Sequence, residues 1–453
     1  MPTAQRPGPA RRSRSPFSRR RTLAAVAVVM GGTVALTACG GGSEGSARAD
    51  GATDQVTATS SPAPPATLTM TPTQSGAGQA QADAAAARNA SDAKIVITPR
   101  TGSTGASIHN GTKVTVTGGT LTSVTMTSRA TGRTVPGTIS ADGTSWRPDA
   151  ALARGTQYAV SAAATDAQGR STAARSTFAT VSAAGSFIGH FTPEDGSTVG
   201  VGMPVSINFD KAITDRAAVQ KAITVTSSSG QQVVGHWFSS TRLDLRPETY
   251  WKAGSHVTLT LALDGVEGAT GVYGIQDKTV GFDVGRSQVS TVDTRTHRMT
   301  VVRDGKVVRT IPISAGATGH ATYNGRMVIS EKDRTTRMNG ATVGFTDNDG
   351  KGEYDIPDVP HAMRLSSSGT FIHGNYWGAT SVFGHVNTSH GCIGLSDVKG
   401  GKDPKTPAAW FFANSMVGDV VVVKNSPDRT IQPSNGLNGW NLSWARWLAG
   451  SAA

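Results

Sequence analysis

The sequence predicts a mainly β protein of about three domains, and three observations support this prediction. The chain has 453 residues, about three times the roughly 150 residues of an average domain. Short runs such as PVSINFD (204–210) and HVTLTLALDG (256–265) alternate apolar and polar residues, which is the period of strands with one buried face. The 54 glycines and 21 prolines supply turn residues between such runs.

Residues 1–38 have the layout of an export signal peptide. They contain an arginine-rich start and an apolar run, followed by Leu-Thr-Ala-Cys at 36–39. This tetrapeptide resembles a bacterial lipobox, in which Cys39 becomes the lipidated first residue of the mature protein. An ordinary cleavage site with a chance cysteine is the alternative. We therefore expect an exported protein that is lipid-anchored to the outer face of the cytoplasmic membrane and faces the cell wall.

The charge of the chain gives no support to a nucleic-acid partner. The formal net charge is +12, and residues 1–38 carry seven arginines and no acid. Removing those seven charges leaves about +5, so the basicity belongs mainly to the leader.

Residues 39–92 are predicted to be a disordered tether. They are rich in Gly, Ser, Pro and Ala and contain almost no large apolar side chain. Such a segment cannot bury enough surface to offset its chain entropy, so we expect it to hold the folded domains away from the membrane.

Residues 93–285 contain an internal repeat of about 95 residues. The repeated segments are TPRTGST (98–104) with TPEDGST (192–198), and Arg147-Pro148 with Arg246-Pro247. Two copies of this length, made of short alternating strands, favour two immunoglobulin-like β-sandwich domains, at 93–184 and 185–285. Neither copy contains a cysteine, so both lack an intersheet disulfide.

Residues 286–424 form the third predicted domain, which is also rich in strands. A two-residue hairpin turn is expected at Asp304-Gly305, strands at TFIHG (370–374) and DVVVVKN (419–425), and one short helix at PAAWFFANSM (407–416). The segment 332–361, rich in Gly, Asp, Asn and Thr, has the length of a functional flap.

The tail 425–453 is rich in tryptophan. Trp440, Trp444 and Trp447 are spaced by four and three residues, which predicts one helical face that packs on the domain 286–424 rather than a ligand platform.

The segment TSHGCIGLSD (388–397) contains Cys392, the only free thiol if Cys39 is lipidated. A nucleophilic cysteine needs a neighbouring base or positive charge to lower its pKa from about 8.5, and histidines at 373, 385 and 390 are near in sequence. These residues permit a Cys/His acyl transferase. An inert buried cysteine remains an alternative, as does a zinc site with His373, His385, His390 and Cys392 as ligands, although their spacings match no standard zinc pattern. A redox sensor would need a resolving cysteine that the mature chain lacks.

The segment HGNYWGATSVFGHVNTSHGC (373–392) resembles the signature of L,D-transpeptidases of the YkuD type: a histidine, about fifteen residues, then Ser/Thr-His-Gly-Cys. The resemblance covers about 286–424 and implies a YkuD-type β-sandwich catalytic domain without a cofactor or metal. It implies that the thiol attacks the carbonyl before the terminal D-alanine of a peptidoglycan tetrapeptide. The thioester then passes to the diaminopimelate amine of a second stem peptide, which makes a 3→3 crosslink. Carbapenem-type β-lactams are the expected inhibitors.

The resemblance also implies a role for individual residues. Cys392 is the expected nucleophile and His373 its general base, whereas His385 receives no catalytic role. The residues expected to shape the site and the oxyanion hole are Gly374, Ser389, His390 and Gly391. Those expected to line the groove for the donor stem peptide are Met338, Tyr354 and Trp377.

Two positions depart from the family pattern. Gly374 replaces a common serine, whose backbone carbonyl orients the base, and Gly394 replaces a common Asn or Arg. Two other functions stay open at this point: an L,D-carboxypeptidase, in which water resolves the thioester, and a non-catalytic lipoprotein that binds the cell wall.

Overall fold

The computed structural model describes residues 80, 81 and 89–453. The predicted leader 1–38, Cys39 and most of the predicted tether lie outside these residues. No helix within the described part of the chain is long and apolar enough to cross a membrane.

The first repeat folds as a sandwich of four strands on three. One sheet has the order β1-β2-β5-β4 and the other β3-β6-β7, which is the arrangement of a constant-type immunoglobulin sandwich. Its core joins Trp146 of the first sheet to Phe178 of the second. The strands are β1 Lys94–Thr98, β2 Lys113–Thr117, β3 Thr120–Ser128, β4 Gly137–Ile139, β5 Ser145–Pro148, β6 Gln157–Thr165 and β7 Ser171–Ala179.

The second repeat has the same arrangement with additional short elements. Its main sheets have the orders β13-β14-β11-β9 and β10-β18-β15-β12, and β16-β17-β8 forms a small third sheet. Two immunoglobulin-like sandwiches are therefore confirmed. The elements are β8 Ser186–Phe187, β9 Gly189–Thr192, β10 Thr198–Val199, β11 Val205–Phe209, α1 Arg216–Lys221, β12 Ile223–Ser227, β13 Val233–Trp237, β14 Arg242–Pro247, β15 His256–Ala262, β16 Glu267–Ala269, β17 Val272–Gly274 and β18 Asp277–Val284.

The alternating sequence patterns explain which faces of these strands are buried. In β15, Val257, Leu259 and Leu261 are buried, whereas the residues between them are not. Successive side chains of a strand point to opposite faces, so this pattern fixes the face that meets the core.

The third domain is built on a nine-stranded sheet with the order β22-β27-β19-β20-β21-β26-β25-β24-β23. Helix α2 packs on β24, β25 and β26, and its Phe411 joins the core of the sheet. The elements are β19 Gln288–Asp293, β20 Arg298–Arg303, β21 Lys306–Ser314, β22 Gly325–Val328, β23 Glu331–Asn339, β24 Asp355–Arg364, β25 Phe371–Asn375, β26 Ile393–Ser396, α2 Pro407–Asn414 and β27 Val420–Lys424.

Several local predictions are confirmed in this domain. The β20–β21 hairpin turns at Asp304 and Gly305, whose φ angles are 48° and 77°, as a two-residue turn of this kind requires. Helix α2 begins at Pro407, and the Oγ1 of its N-cap Thr406 accepts a hydrogen bond from Ala409 N.

The predicted flap is mainly a β-hairpin. Strands β23 and β24 pair antiparallel, and only the tip 340–354 lies outside them. We call residues 331–364 the arm. Asn339 caps the short 3-10 turn Gly340–Val343 at the tip, and Arg337 donates to Asp355 across the end of the two strands.

The tail does not form the predicted helical face on the catalytic domain. Trp440 lies in the 3-10 turn Gly439–Asn441, whereas Trp444 and Trp447 belong to a separate short helix, α3 Trp444–Leu448. Trp440 Nε1 donates to Gly202 O and Trp447 Nε1 to Val234 O, both in the second sandwich. The tail contacts the catalytic domain through other groups as well: Ile431 joins the core of that domain, Asn438 Oδ1 accepts from Val328 N at 3.0 Å, and Trp440 O accepts from Arg326 at 3.2 Å.

A buried arginine explains this placement. The guanidinium of Arg246, on β14, lies 4.1 Å from the ring centroid of Trp447, 4.4 Å from that of Trp440 and 5.4 Å from that of Trp444. The faces of aromatic rings attract a cation most strongly where water is excluded. The tryptophans therefore pack around this side chain of the second sandwich.

The second sandwich also contacts the catalytic domain directly. Gly200 N donates to Val417 O at 2.8 Å and Gly202 N to Gly418 O at 2.9 Å. A Cβ on Gly200 would lie 2.3 Å from Asp419 N, so this close approach requires glycine.

Candidate active site

Two adjacent parallel strands bring the histidine and the cysteine of the motif together. Strand β25 pairs with β26, and His373 lies opposite Gly394 in this register. Cys392 directly precedes β26. Both His373 and Cys392 line one pocket of about 320 Å³. Residues 376–392, which include most of the fifteen residues between His373 and Ser389, therefore connect two neighbouring parallel strands.

His373 is buried, and its protonation state follows from its hydrogen bond. Nδ1 lies 3.0 Å from Gly374 O, and because a carbonyl oxygen only accepts, Nδ1 carries the proton and Nε2 is left as an acceptor. Burial lowers the pKa of His373, since desolvation disfavours the charged imidazolium. The exposed ring of Trp377 stacks on the imidazole with 5.6 Å between centroids. At neutral pH His373 is thus an uncharged base.

The Cys392 thiol is protonated in this state. Burial raises its pKa to about 11, and the Phe371 backbone N–H offsets part of this rise. Sγ donates to Gly369 O at 3.6 Å. The sequence predicts a neighbouring group that lowers the thiol pKa, and the structure differs because the pocket desolvates the sulfur and the His373 imidazole that lines the same pocket is neutral. The resting pair is therefore a thiol and an imidazole rather than an ion pair.

Ser389 organises the turn that precedes the cysteine. Its Oγ donates to Cys392 O at 2.6 Å and accepts from Gly391 N at 3.2 Å. Gly391 has a φ of 110°, which glycine adopts without a steric cost. Because its N–H is bonded to Ser389 in this state, the contribution of Gly391 to an oxyanion hole stays a prediction.

His390 is tied to the tip of the arm. Its Nε2 lies 3.0 Å from Glu353 Oε2, and because a carboxylate accepts, this nitrogen carries a proton. His390 Nε2 is therefore less available as a base than His373 Nε2. His385 is exposed and lies outside the residues that line the pocket.

The three predicted substrate residues lie around the same pocket. Met338 faces Ile356 across β23 and β24, and both line the pocket together with Tyr354 and Trp377. Burial raises the pKa of Tyr354 to about 12, so its hydroxyl is a neutral hydrogen-bonding group. The arm thus forms one wall of the pocket, and the roles of these side chains in substrate binding stay predictions.

Asn375 also lines the pocket and was not predicted from the sequence. Asn375 is buried, and its Oδ1 accepts from Gly378 N at 2.7 Å. Residues i and i+2 of a strand share a face, so its position two residues after His373 in a predicted strand is the signal that could have identified Asn375.

Comparison with known proteins places the chain in a family. The profile of the L,D-transpeptidase catalytic domain matches residues 287–423, and that of a bacterial Ig domain matches residues 103–267. L,D-transpeptidase 2 of Mycobacterium tuberculosis is 33% identical over 359 residues, which cover 79% of this chain and 85% of that protein. The chain belongs to the L,D-transpeptidase family.

Other L,D-transpeptidases are similar over shorter regions. L,D-transpeptidase 5 of Mycobacterium tuberculosis is 31% identical over 336 residues, which cover 73% of this chain and 70% of that protein. The solved structure of an L,D-transpeptidase in complex with imipenem is 30% identical and has a TM-score of 0.43. It covers 52% of this chain and 97% of that chain.

The structure shows what surrounds Gly374 and Gly394, the two positions at which the sequence departs from the expected motif. A Cβ on Gly374 would lie 2.1 Å from Asp397 Oδ2, which is held 2.7 Å from His361 Nδ1, so a serine does not fit there without movement. A Cβ on Gly394 would lie 3.5 Å from Asn375 Nδ2 and 3.4 Å from Ser314 O, which are ordinary contacts. In this L,D-transpeptidase, the Asn375 amide is the side-chain group nearest to a Cβ at position 394.

Proposed function

We propose that this L,D-transpeptidase forms 3→3 crosslinks between peptidoglycan stem peptides through a thioester on Cys392. The thiol attacks the carbonyl before the terminal D-alanine of a tetrapeptide donor, and His373 Nε2 takes its proton. The imidazolium returns that proton to the leaving amine, and D-alanine departs. The diaminopimelate amine of an acceptor stem then attacks the thioester and gives a proton to His373. His373 passes this proton to the departing sulfur, which restores the Cys392 thiol.

The observation that carries this proposal is the tautomer of His373 in the pocket that it shares with Cys392. With Nδ1 bonded to Gly374 O, Nε2 has the lone pair that a general base needs. A neutral base beside a neutral thiol suits a site that develops charge only during the reaction, because a buried charge in the resting enzyme would be unfavourable.

Mass spectrometry of products from a disaccharide-tetrapeptide tests the proposal. A crosslinked dimer with release of one D-alanine is the expected product, and Cys392→Ala is the control that should yield none. A tripeptide without dimer would show an L,D-carboxypeptidase, and unchanged substrate from folded wild-type protein would show a non-catalytic wall-binding protein.

We also propose that carbapenem-type β-lactams inhibit the enzyme by acylating Cys392. Attack by Sγ on the strained lactam carbonyl breaks its C–N bond, and the proton of the thiol ends on the released nitrogen. The protein mass therefore increases by one whole carbapenem, and this addition should map to the peptide that contains Cys392. An adduct on another residue would contradict the proposal.

We further propose that the protein is exported and anchored through a lipid on Cys39. The support is the sequence Leu-Thr-Ala-Cys at 36–39 after an arginine-rich start and an apolar run. We expect wild-type protein in the membrane fraction and Cys39→Ala protein in the soluble or secreted fraction. A Cys39→Ala protein that stays fully membrane-bound would contradict lipid anchoring and leave the catalytic proposal untouched.

A further inference from the structure

Three potential metal ligands from separate segments meet beside the active site. His320 follows β21, Glu353 lies at the tip of the arm, and His390 is two residues before Cys392. One ligand atom from each residue lies within 4.8 Å of those of the other two. Of these, His390 Nε2 and Glu353 Oε2 are 3.0 Å apart. The imidazole centroids of His320 and His390 are 4.8 Å apart.

The chemistry of these three groups suits zinc. Two imidazoles and one carboxylate form a three-residue zinc site in which water takes the fourth position. Bonds of about 2.0–2.2 Å place the ligand atoms of a tetrahedral site about 3.3–3.6 Å apart. The His390–Glu353 pair is already close to this separation, and Glu353 is exposed at the arm tip, so its side chain has room to adjust.

The position of the cluster links it to access to the nucleophile. His390 lines the pocket of Cys392 and also a neighbouring pocket of about 220 Å³, which His320 and Gly391 help to line. An ion bound to His390 lies at the partition between the two pockets. The arm tip already contacts the body of the domain through the His390–Glu353 pair, and an ion shared with His320 adds a third attachment.

We propose that His320, Glu353 and His390 bind one Zn²⁺ ion, and that the bound ion inhibits the enzyme by fastening the arm tip over Cys392. Crosslinking brings two stem peptides to this cysteine, so an arm that cannot move obstructs their entry. This set of ligands differs from the zinc set considered from the sequence, with which it shares only His390. It also differs from the sequence-based expectation that the protein takes no metal.

Calorimetric titration of metal-free protein with ZnCl₂ tests the binding. We expect one ion per chain, and at least tenfold weaker binding in His320→Ala and in Glu353→Gln. Cys392→Ala and the matched control His385→Ala, which removes an exposed histidine, should bind as tightly as wild type. Binding that is lost in Cys392→Ala but kept in His320→Ala would identify the thiol as the ligand and overturn the proposal. Absence of binding at millimolar zinc in folded wild-type protein would also overturn it.

Two further measurements separate the ligand set from the inhibition. The Co²⁺-substituted protein should lack a sulfur-to-cobalt charge-transfer band, and the presence of this band would contradict the His/His/Glu set. Zinc should slow crosslinking by wild type at least tenfold relative to the same protein with a chelator, whereas His320→Ala should respond less than twofold. Binding without any inhibition would overturn the fastening of the arm. The titration measures zinc binding without turnover, so a failure of the proposed 3→3 reaction would not affect that test. Only the inhibition test rests on the proposed function.

Discussion

At the scale of single residues, Cys392 and His373 are distinguished by how their variants respond to pH. Cys392→Ala removes the proposed nucleophile and should abolish acylation by a carbapenem. His373→Ala keeps the thiol but loses the proposed general base, and such a base typically contributes about 10²–10⁴-fold. Because the thiol pKa is raised to about 11, the thiolate fraction rises about tenfold per pH unit below that value. Acylation of His373→Ala should therefore keep rising from pH 7 to 10. With an ordinary cysteine, whose pKa is about 8.5, the rate would level off above that pH.

The wild-type profile should differ in both position and shape. The pKa of His373 is lowered, so its neutral form persists below the usual value near 6.5 and the rate should fall only under that pH. Acylation rates of wild type, His373→Ala and the exposed control His385→Ala should be compared from pH 5 to 10, with circular dichroism as a check of folding. If His385→Ala or His390→Ala shows the pH-rescued loss and His373→Ala acylates normally, a different histidine is the base.

Gly394→Asn tests whether an asparagine at position 394 can take the place of the neighbouring Asn375 amide. A Cβ at this position would meet its nearest neighbours at 3.4–3.5 Å, which leaves room for a side chain, so we expect acylation within about threefold of wild type. Asn375→Ala should slow acylation because it removes the buried amide, and Gly394→Asn added to it should recover part of the loss. Such non-additivity is expected of residues in contact. A severe loss in a folded Gly394→Asn protein would show that the strand requires glycine there.

At the scale of elements, the arm should control substrate binding more than chemistry. Tyr354→Ala removes a side chain from the pocket wall, whereas Val307→Ala shortens an exposed side chain on β21 and serves as its control. We expect kcat/KM for the tetrapeptide to fall about tenfold in Tyr354→Ala, corresponding to about 1.4 kcal/mol, mainly through KM. A fall in kcat alone would indicate that Tyr354 acts in the transition state.

The elements also show what could be predicted from the sequence. The β20–β21 hairpin was predictable because the turn residues Asp304 and Gly305 specify it locally. The strands of the arm were not recognised, because the Gly- and Asp-rich composition of its tip obscured them and their pairing is non-local. The resemblance to the family motif implied that His373 and Cys392 act together. It could not predict the raised thiol pKa, because burial depends on the whole pocket.

At the scale of the whole molecule, contacts between distant segments decided what the sequence pattern could not. The spacing of Trp440, Trp444 and Trp447 suggested one helix on the catalytic domain. The structure instead places the rings of Trp447 and Trp440 at 4.1 and 4.4 Å from Arg246, which lies far earlier in the chain. Together with the contact between Gly200 and Val417, these packing interactions join the second sandwich, the tail and the catalytic domain.

The repeat provides an internal control for the importance of Arg246. Arg147 occupies the equivalent place in the first sandwich, at the same Arg-Pro pair, but it is exposed. Arg246 is buried, and burial lowers its pKa to about 10, so it is still charged at neutral pH. It also donates to Pro247 O at 2.9 Å. The two arginines thus share a sequence context and differ in what surrounds them.

Arg246→Ala should therefore destabilise the joined unit, and Arg147→Ala should not. Removing Arg246 leaves a cavity among the tryptophans and eliminates desolvated cation–π contacts of about 2 kcal/mol or more. A loss of about 2 kcal/mol corresponds to a Tm about 4–8 °C lower for a domain of 150–250 residues, whereas an exposed substitution changes stability by about 0.5 kcal/mol or less. Scanning calorimetry of both variants measures the difference. Because the tail bridges two domains, Arg246→Ala should also make the chain after residue 437 more sensitive to protease. Equal Tm values for Arg246→Ala and Arg147→Ala would show that the tail contributes nothing to holding the second sandwich.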